Sequence, residues 1–383
     1  MPLNILMVIE KNSWVESHIV RALELMGNRV SRFYLDNYVG EFYGYHRRDE
    51  QIKKNRMLVE RAKQLCSEKQ LDLIFCYVYD DFLMSKYAKQ LSALGVPMIN
   101  YNVDMPTQWY RQIRTAEYFN YMLCAQPDYM DNLSRYAQKV LYFPMAALPT
   151  VHLHQFETFN KQHEVTFLGT ALPYRRRLLC ELAKFQIPFT VYGKYWDTDK
   201  TNTCIRSFEK TALDIVRYGW PRVRTEGIKK ALESLSSRIF TNTHDNDRVI
   251  PPEYIKGQLE THELPLLFQQ SKINIGLTRY AENDPNKVGR CQMKLRDFEV
   301  PMAGGFYLVE KSPGYDAAFI DGEEVVMWQT VQELIEKIQY YLAHEDERRA
   351  IALKGQKRAI SEHTWQHRFN TLFQALGIDY AHS

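Results

Sequence analysis

The amino-acid sequence predicts an α/β protein made of two doubly wound parallel-sheet domains. Its 383 residues suffice for two domains of ordinary size, each with its own core. Apolar runs of strand length alternate with amphipathic stretches along most of the chain. The segment LRDFEVPMAGGFYLVEK, Leu295–Lys311, has the pattern of a helix that ends on paired glycines and leads into a buried strand. Such alternation favours parallel sheets covered on both faces.

Each half contains five apolar runs of strand length. The predicted strands are Leu3–Ile9, Leu71–Val78, Val96–Asn100, Tyr121–Cys124, Val140–Phe143, Val165–Leu168, Phe189–Tyr192, Ile273–Leu277, Phe306–Val309 and Val325–Trp328. Helical spacing of apolar residues predicts helices over Gln51–Gln70 and Phe82–Ala93. After Thr330, interruptions at His344–Asp346 and Ser361–Thr364 predict three consecutive helices.

The domain boundary is predicted in ALPTVHLHQFETFNKQH, which contains Pro149 and has little periodicity. This gives a first Rossmann-like domain over residues 1–155 and a second over residues 156–360. Residues 361–383 are expected to form a helix that returns toward the first domain. The segment 200–262 has no regular pattern, and no elements are predicted for it.

Composition argues against several classes of protein. The formal net charge of +3 is too small for a strongly nucleic-acid-binding surface. Six cysteines without a CxxC pair indicate free thiols in a reducing compartment, and the histidines have no ligand-spaced partners for zinc. The first apolar run lacks a basic leader, and no stretch has the ~20 apolar residues of a membrane span. We therefore expect a cytoplasmic protein without stable membrane insertion and without a bound metal.

In doubly wound sheets, ligands bind beyond the carboxyl ends of the strands. In the first half these positions are mainly acidic: Glu10–Lys11, Asp80–Asp81, Asn102 with Asp104, and Gln126. In the second half they are rich in glycine and cations: Gly169–Thr170, Gly193–Lys194, Thr278–Arg279 and Glu310–Lys311. The second edge suits an anionic donor molecule, and the first suits a hydroxylated acceptor.

Several motifs together resemble one family. FLGTALPYRRRLL, Phe167–Leu179, is followed by a core consisting of Arg296, Phe298, Glu299, Pro301, Gly304 and Gly305. A C-terminal run then ends in an H-T-W-x-x-R element at His363, Thr364, Trp365 and Arg368. Two weaker matches are INYNVDMP, Ile99–Pro106, and LYFPMAALP, Leu141–Pro149. In order and spacing these motifs resemble the CgeB-like (spore-maturation-type) branch of the group-1 glycosyltransferases.

This resemblance implies the GT-B fold, in which two Rossmann-like domains face each other across a cleft. It also implies transfer of a sugar from a nucleotide diphosphate sugar to an acceptor hydroxyl, without a cofactor or an obligatory metal ion. The acceptor would be a glycan, a lipid or a protein, with nucleic acid less expected. One departure concerns the pair of glutamates, eight positions apart, that retaining members often have. Glu299 would be the second, but the first position is Cys291, which leaves the sugar-side contact and the stereochemistry open.

Seven residues are predicted to bind the donor: Gly169, Thr170, Arg175, Gly193, Lys294, Arg296 and Glu299. The glycines would let backbone N–H groups approach phosphate, and the cations would contact the diphosphate. Glu299 would accept hydrogen bonds from a ribose diol. The alternatives are an ordinary βα turn at Gly169 and a purely electrostatic role for Glu299 near the helix N-terminus.

Asp104, in NYNVDMP, is the predicted catalytic carboxylate, which would position or deprotonate the attacking hydroxyl. An aspartate that caps a turn or helix is the alternative. Asp80 and Asp81 are weaker candidates for the same role. Two other functions remain open. A sugar-nucleotide epimerase or hydrolase would use the same donor site, and a non-catalytic nucleotide-sugar-binding protein would retain the site without turnover.

Overall fold

The computed structural model describes residues 2–11, 13–35, 48–152, 161–196, 250–280 and 290–378, together with residues 223 and 228. The chain divides into two compact units. The first combines Met1–Leu148 with Glu362–Ser383, and the second is Pro149–Ser361. Part of the predicted linker and most of the segment 200–262 lie outside the described residues.

The strands of the first unit form one parallel sheet. They are β1 Asn4–Ile9, β2 Arg29–Tyr34, β3 Leu73–Cys76, β4 Met98–Asn102, β5 Tyr121–Cys124 and β6 Val140–Tyr142. Their order in the sheet is β2-β1-β3-β4-β5-β6, and every neighbouring pair is parallel. The chain reverses its direction of travel between β1 and β3, which is the topological switch point of this sheet.

The second unit has a five-stranded parallel sheet and a small antiparallel pair. Its strands are β7 His163–Leu168, β8 Phe189–Tyr192, β9 Ser271–Gly276, β10 Arg279–Tyr280, β11 Arg290–Cys291, β12 Tyr307–Glu310 and β13 Val326–Trp328. The parallel order is β13-β12-β9-β7-β8, and β10 pairs with β11. The switch point lies between β7 and β9. The prediction of two doubly wound parallel sheets is confirmed.

Helices cover the connections between the strands. Within the described residues they are α1 Arg21–Leu25, α2 Arg48–Ser67, α3 Ser85–Ser92, α4 Met105–Gln108, α5 Met130–Ser134, α6 Pro149–His152, α7 Pro173–Lys184, α8 Leu264–Gln270, α9 Arg296–Met302, α10 Tyr315–Ala318, α11 Val331–Ala343, α12 Glu345–Glu362 and α13 Trp365–Ala375. A π-helical turn, Glu16–Val20, precedes α1. The three consecutive C-terminal helices predicted from the sequence are confirmed.

All ten predicted strands are present, with ends within two residues of those predicted. Strand β2 was not predicted, because its sequence RVSRFY is half polar. It lies at the edge of the sheet and pairs only with β1, so none of its residues is fully buried. By contrast, β3 and β4 are buried at every residue, and β3 has the continuous apolar pattern of a central parallel strand.

The H-T-W-x-x-R element joins the last helix to the first unit. Thr364 caps α13 by accepting a hydrogen bond from the His367 N–H group. The Arg368 guanidinium donates to the carbonyl oxygens of Pro144 at 3.1 Å and Met145 at 3.2 Å. This arginine therefore holds the chain after β6 against the C-terminal helix, and its role is structural.

Helix α9 ends as its sequence predicts. Gly304 has a φ of +78°, and its N–H group donates to the Pro301 carbonyl at 2.8 Å. The Gly305 N–H group donates to the Val300 carbonyl at 3.0 Å. These two bonds form the Schellman arrangement that stops a helix on a left-handed glycine. The chain then enters β12 directly.

None of the five cysteines within the described residues forms a disulfide bond. Burial raises the pKa of Cys124 to about 12, which fits a small buried hydrophobic side chain. Among the described helices, none combines the length and the apolar character needed to cross a bilayer.

Candidate functional site

The carboxyl edge of the second sheet brings together the turns after β7, β8 and β9. Gly169 and Thr170 follow β7, Gly193 follows β8, and Leu277 follows β9. Ligands of doubly wound sheets bind at this edge, at the switch point between β7 and β9. The predicted donor residues of these turns therefore lie where the topology favours a ligand.

Gly169 and Gly193 are in direct contact, and neither position accommodates a side chain. Gly193 has a φ of +139°, and a Cβ added there would lie 2.1 Å from the Gly169 carbonyl oxygen. A Cβ at Gly169 would lie 2.9 Å from both Arg175 Nη1 and a ring carbon of Phe167. Trp196 Nε1 donates to the Gly169 carbonyl at 2.7 Å and fixes its direction. Glycine is thus required at both turns for close packing.

The arginines of helix α7 have different contacts. Arg175 Nη1 donates to the Thr170 carbonyl at 2.9 Å, and its guanidinium lies 5.6 Å from the centre of the Phe167 ring. Arg176 donates to the carbonyl oxygens of Tyr195 and Trp196. Arg175 is therefore the arginine that lies beside the β7 turn, as predicted, whereas Arg176 holds the turn after β8.

Lys294 brings a second cation to this edge. Its ammonium group donates to the Leu277 carbonyl at 2.6 Å, and its backbone N–H group donates to Asp297 Oδ2 at 2.7 Å. Burial lowers the pKa of Lys294, and the nearby positive charge of Arg175 lowers it further. An anion bound beside these cations would favour the charged form of Lys294 and so raise its pKa again. We name Gly169, Thr170, Arg175, Gly193 and Lys294 the glycine–cation cluster.

Arg296 and Glu299 bind each other. Arg296 Nη1 donates to Glu299 Oε2 at 2.7 Å, one helical turn along α9. The Glu299 side chain is 2% exposed and that of Arg296 is 29% exposed, and the Arg296 guanidinium lies 5.5 Å from the centre of the Phe268 ring. The structure thus assigns Arg296 a contact with the Glu299 carboxylate, which the sequence did not suggest. A carboxylate has further acceptor positions beyond the one that Arg296 occupies.

Glu310, Arg279 and Tyr174 also lie at this edge, and the sequence did not predict them as site residues. The Glu310 carboxylate at the end of β12 is 1% exposed, accepts a hydrogen bond from Tyr174 Oη at 2.8 Å and forms an ion pair with Arg279 Nη2 at 2.8 Å. Both Glu310 and Arg279 follow predicted strands, which was the available signal. The sequence did not show that their side chains pair, because pairing depends on the order of the strands in the sheet.

Asp297 was also missed. It is buried, and its carboxylate accepts hydrogen bonds from Tyr307 Oη at 2.6 Å and from the Lys294 N–H group. Burial raises the pKa of Asp297, although these hydrogen bonds act in the opposite direction. Asp297 therefore connects the start of α9 to the first residue of β12.

In the first unit, Asp104 follows β4 and occupies the N-cap position of α4 without capping it through its side chain. Its carboxylate accepts a long, 3.5 Å hydrogen bond from Gln108 Nε2. Burial raises the pKa of Tyr79, and the negative charge of Asp104 contributes to that rise, so the two groups are neighbours. The Asp104 side chain therefore does not cap α4. Capping was the alternative to a catalytic role.

The two weaker acidic candidates have structural partners. Asp80 accepts hydrogen bonds from the Arg114 N–H group at 3.0 Å and from Thr115 Oγ1 at 2.7 Å. Burial raises the pKa of Asp80 to about 7. Asp81 forms an ion pair with Arg111, whose guanidinium lies 4.3 Å from the centre of the Tyr79 ring. Among the described residues, no three His, Cys, Asp or Glu side chains form a set that could hold a metal ion.

Comparison with known proteins adds a family to this geometry. A sequence profile described as glycosyl transferase-like matches residues 175–374, which is more than half of the chain. The chain belongs to this family. The matched region contains Arg175, Lys294 and the Arg296–Glu299 pair. No curated protein sequence matches this glycosyl transferase-like chain significantly.

Solved structures similar to this glycosyl transferase-like chain share its fold at low sequence identity. Sucrose-phosphate synthase from Thermosynechococcus elongatus is 12% identical, with a TM-score of 0.57 over 98% of this chain and 99% of that one. HepE from Anabaena in complex with UDP is 11% identical, with a TM-score of 0.56 over 98% and 100%. A glycosyltransferase from Rickettsia africae is 10% identical, with a TM-score of 0.59 over 98% and 97%. These likenesses show that the fold is that of GT-B glycosyltransferases.

Proposed function

We propose that this chain transfers a glycosyl group from a nucleotide diphosphate sugar to an acceptor hydroxyl, with the donor bound by the second unit. The observation on which this rests is the glycine–cation cluster at the switch point of the sheet. Two glycine turns without room for side chains lie beside two half-buried cations. This arrangement suits a diphosphate, which needs close backbone approach and concentrated positive charge.

The same cluster would assist the chemistry. The diphosphate gains negative charge as the glycosidic bond breaks, so fixed cations aimed at it stabilise the transition state. Arg175 and Lys294 would supply this charge, and the proposal therefore includes no metal ion. In support, the HepE protein of the same fold has been crystallised with UDP and with UDP-glucose.

Glu299 would bind the ribose. Its buried carboxylate is oriented by Arg296, and carboxylate oxygens are the acceptors that the two hydroxyls of a ribose diol need. Arg296 would then act by fixing that carboxylate rather than by touching the diphosphate as the sequence first suggested. Buried hydrogen-bonding groups reject ligands that lack the matching hydroxyls, because an unpaired buried group is costly.

Asp104 would position or deprotonate the acceptor hydroxyl from the first unit. Its carboxylate does not cap α4 and accepts a long, 3.5 Å hydrogen bond from the Gln108 amide. The acceptor would be a glycan, a lipid or a protein, since the small net charge of +3 does not favour a nucleic acid. The residues leave the donor sugar and the stereochemistry open.

A second candidate is a nucleotide-sugar-binding protein without turnover. It is favoured by Cys291, which occupies the position of the first glutamate of the retaining pair. Burial raises the pKa of Cys291, so its thiol does not replace a carboxylate there. Donor binding without consumption of the donor would distinguish this function from transfer.

The experiment has two stages. A thermal-shift screen with UDP-, GDP-, ADP- and dTDP-sugars identifies the donor, because ligand binding raises the melting temperature. The identified donor, radiolabelled in its sugar, is then incubated with glycan, lipid and protein acceptors, with and without EDTA. A labelled conjugate formed equally in EDTA supports the proposal. An isomerised or hydrolysed donor with no conjugate supports an epimerase or hydrolase, and an intact bound donor supports the binding protein.

The ribose contact is tested separately with Glu299→Gln. We expect about tenfold weaker binding of UDP, the equivalent of one hydrogen bond to a charged group. Binding of 2′,3′-dideoxy-UDP should change little, because it lacks the hydroxyls that Glu299 would accept from. Equal weakening for both ligands in calorimetry would remove Glu299 from the ribose site.

A further inference from the structure

Glu310 is a buried carboxylate at the donor edge that the proposed chemistry does not use directly. Besides the Tyr174 hydroxyl and the Arg279 guanidinium, it accepts hydrogen bonds from the backbone N–H groups of Thr278 at 3.1 Å and Arg279 at 3.0 Å. With four donors to its two oxygens and 1% exposure, it has no free face for a ligand. A carboxylate so fully bonded acts on its neighbours and not on a substrate.

Two of those bonds fix the turn after β9. That turn leads into β10, which pairs with β11, and the Gln292 N–H group donates to the Thr278 carbonyl at 3.1 Å. Two residues later, the Lys294 ammonium group donates to the Leu277 carbonyl in the same turn. The position of the Lys294 side chain therefore depends on a turn that Glu310 holds.

Of the other two contacts, the one from Tyr174 reaches helix α7. Tyr174 precedes Arg175 in the first turn of α7, and its hydroxyl donates to Glu310 Oε1. The Arg279 guanidinium lies 5.1 Å from the centre of the Tyr174 ring and forms the buried ion pair with Glu310. One carboxylate thus connects the backbone segment of Arg175 with the segment of Lys294.

We propose that Glu310 is a positioning residue that sets the arrangement of Arg175 and Lys294 around the donor diphosphate. This inference rests on the proposed function of the glycine–cation cluster. Because Glu310 acts through the cations, its replacement should matter for nucleotide binding only while those cations are present. A purely structural role would weaken the fold without that dependence.

A double-mutant cycle tests this dependence. UDP, GDP, ADP and dTDP are titrated into the full chain by calorimetry, and the tightest binder is used with Glu310→Gln, Lys294→Met and the double variant. Glu310→Gln should weaken binding about tenfold in the otherwise unchanged chain, the size of one charged hydrogen bond. In the Lys294→Met background the same change should weaken binding clearly less than tenfold, because only the effect through Arg175 remains. Glu333→Gln, which removes a surface pair with Lys337 in the same unit, is the matched control and should not alter binding.

Each contrary result has a distinct meaning. Equal weakening by Glu310→Gln in both backgrounds, or no weakening in either, overturns the positioning role and leaves the proposed function standing. Failure of the unchanged chain to bind any of the four nucleotides overturns the proposed function and this inference with it. If Glu310→Gln does not melt cooperatively, Tyr174→Phe replaces it in the cycle. That variant removes one 2.8 Å hydrogen bond, and an unchanged affinity in it also overturns the inference.

Discussion

Replacing Lys294 with methionine should weaken nucleotide binding without lowering the stability of the free protein. Burial and the charge of Arg175 lower the pKa of Lys294 below the ordinary value of 10.5. The folded-state pKa is therefore below that of the unfolded chain, so the charged form costs folding free energy at neutral pH. That cost is fully present below the folded-state pKa and is lost as the pH rises towards 10.5. Methionine removes the cost while filling a similar volume.

The magnitudes can be set from the contacts. The variant loses the 2.6 Å hydrogen bond to the Leu277 carbonyl, a net contribution of about 1 kcal/mol. The removed charge penalty offsets that loss, so the free variant should melt at the same temperature or higher. A charged hydrogen bond to a phosphate oxygen contributes about 1.5–3 kcal/mol. Its loss should weaken binding of the preferred nucleoside diphosphate by about 10- to 150-fold.

The assay combines thermal melting of the free protein with titration calorimetry. Lys272→Met is the matched control, because Lys272 lies at the start of β9 in a part-exposed pair with Glu164 at 2.6 Å. This control should alter neither quantity by much, since exposed pairs contribute about 0–1 kcal/mol. The reasoning is refuted if Lys294→Met binds the nucleotide as tightly as the unchanged chain, or if Lys272→Met weakens binding equally.

Three other changes have distinct expected outcomes. Asp104→Asn should reduce product formation, measured by mass spectrometry, far more than it reduces donor affinity, and equal activity would show that Asp104 is structural. Gly193→Ala should destabilise the fold by more than the ~1–3 kcal/mol of a strained backbone alone, because its Cβ would clash with the Gly169 carbonyl. Gly322→Ala, with a φ of +75° and open space around it, should show only the strain in denaturant unfolding, and equal losses would contradict the packing argument. Burial raises the pKa of Asp80 to about 7, so its contribution to stability falls as the pH rises from about 4 to about 7. Asp80→Asn should remove that slope in urea unfolding measured across this range, and parallel profiles would contradict the burial.

The fold was predictable where local pattern and burial agree. The central strand β3 is apolar throughout, because helices cover both faces of a parallel sheet. The glycine end of α9 was predictable because only glycine readily adopts the left-handed conformation of Gly304. The edge strand β2 was missed because it has one neighbour and solvent-facing residues, so its pattern is mixed.

The site was predictable as far as the chain order of strand ends allows. The place of Gly169, Gly193 and Arg175 at the sheet edge was predictable, because they follow strands directly or lie in the first turn of the next helix. The pairings of Arg296 with Glu299 and of Arg279 with Glu310 were not found. Both depend on side-chain direction, and the second also depends on which strands are neighbours in the sheet. Sequence spacing contains neither kind of information.

The central claim is that the glycine–cation cluster binds the diphosphate of the donor. The most direct test compares, by calorimetry, the affinity of the preferred nucleoside diphosphate with that of its nucleoside, in the unchanged chain and in Arg175→Met. The account predicts that the diphosphate binds at least about 100-fold more tightly than the nucleoside, the equivalent of two charged hydrogen bonds. This gap should shrink about tenfold or more in the variant, while nucleoside affinity stays the same. A gap of the same size in both proteins would contradict the claim.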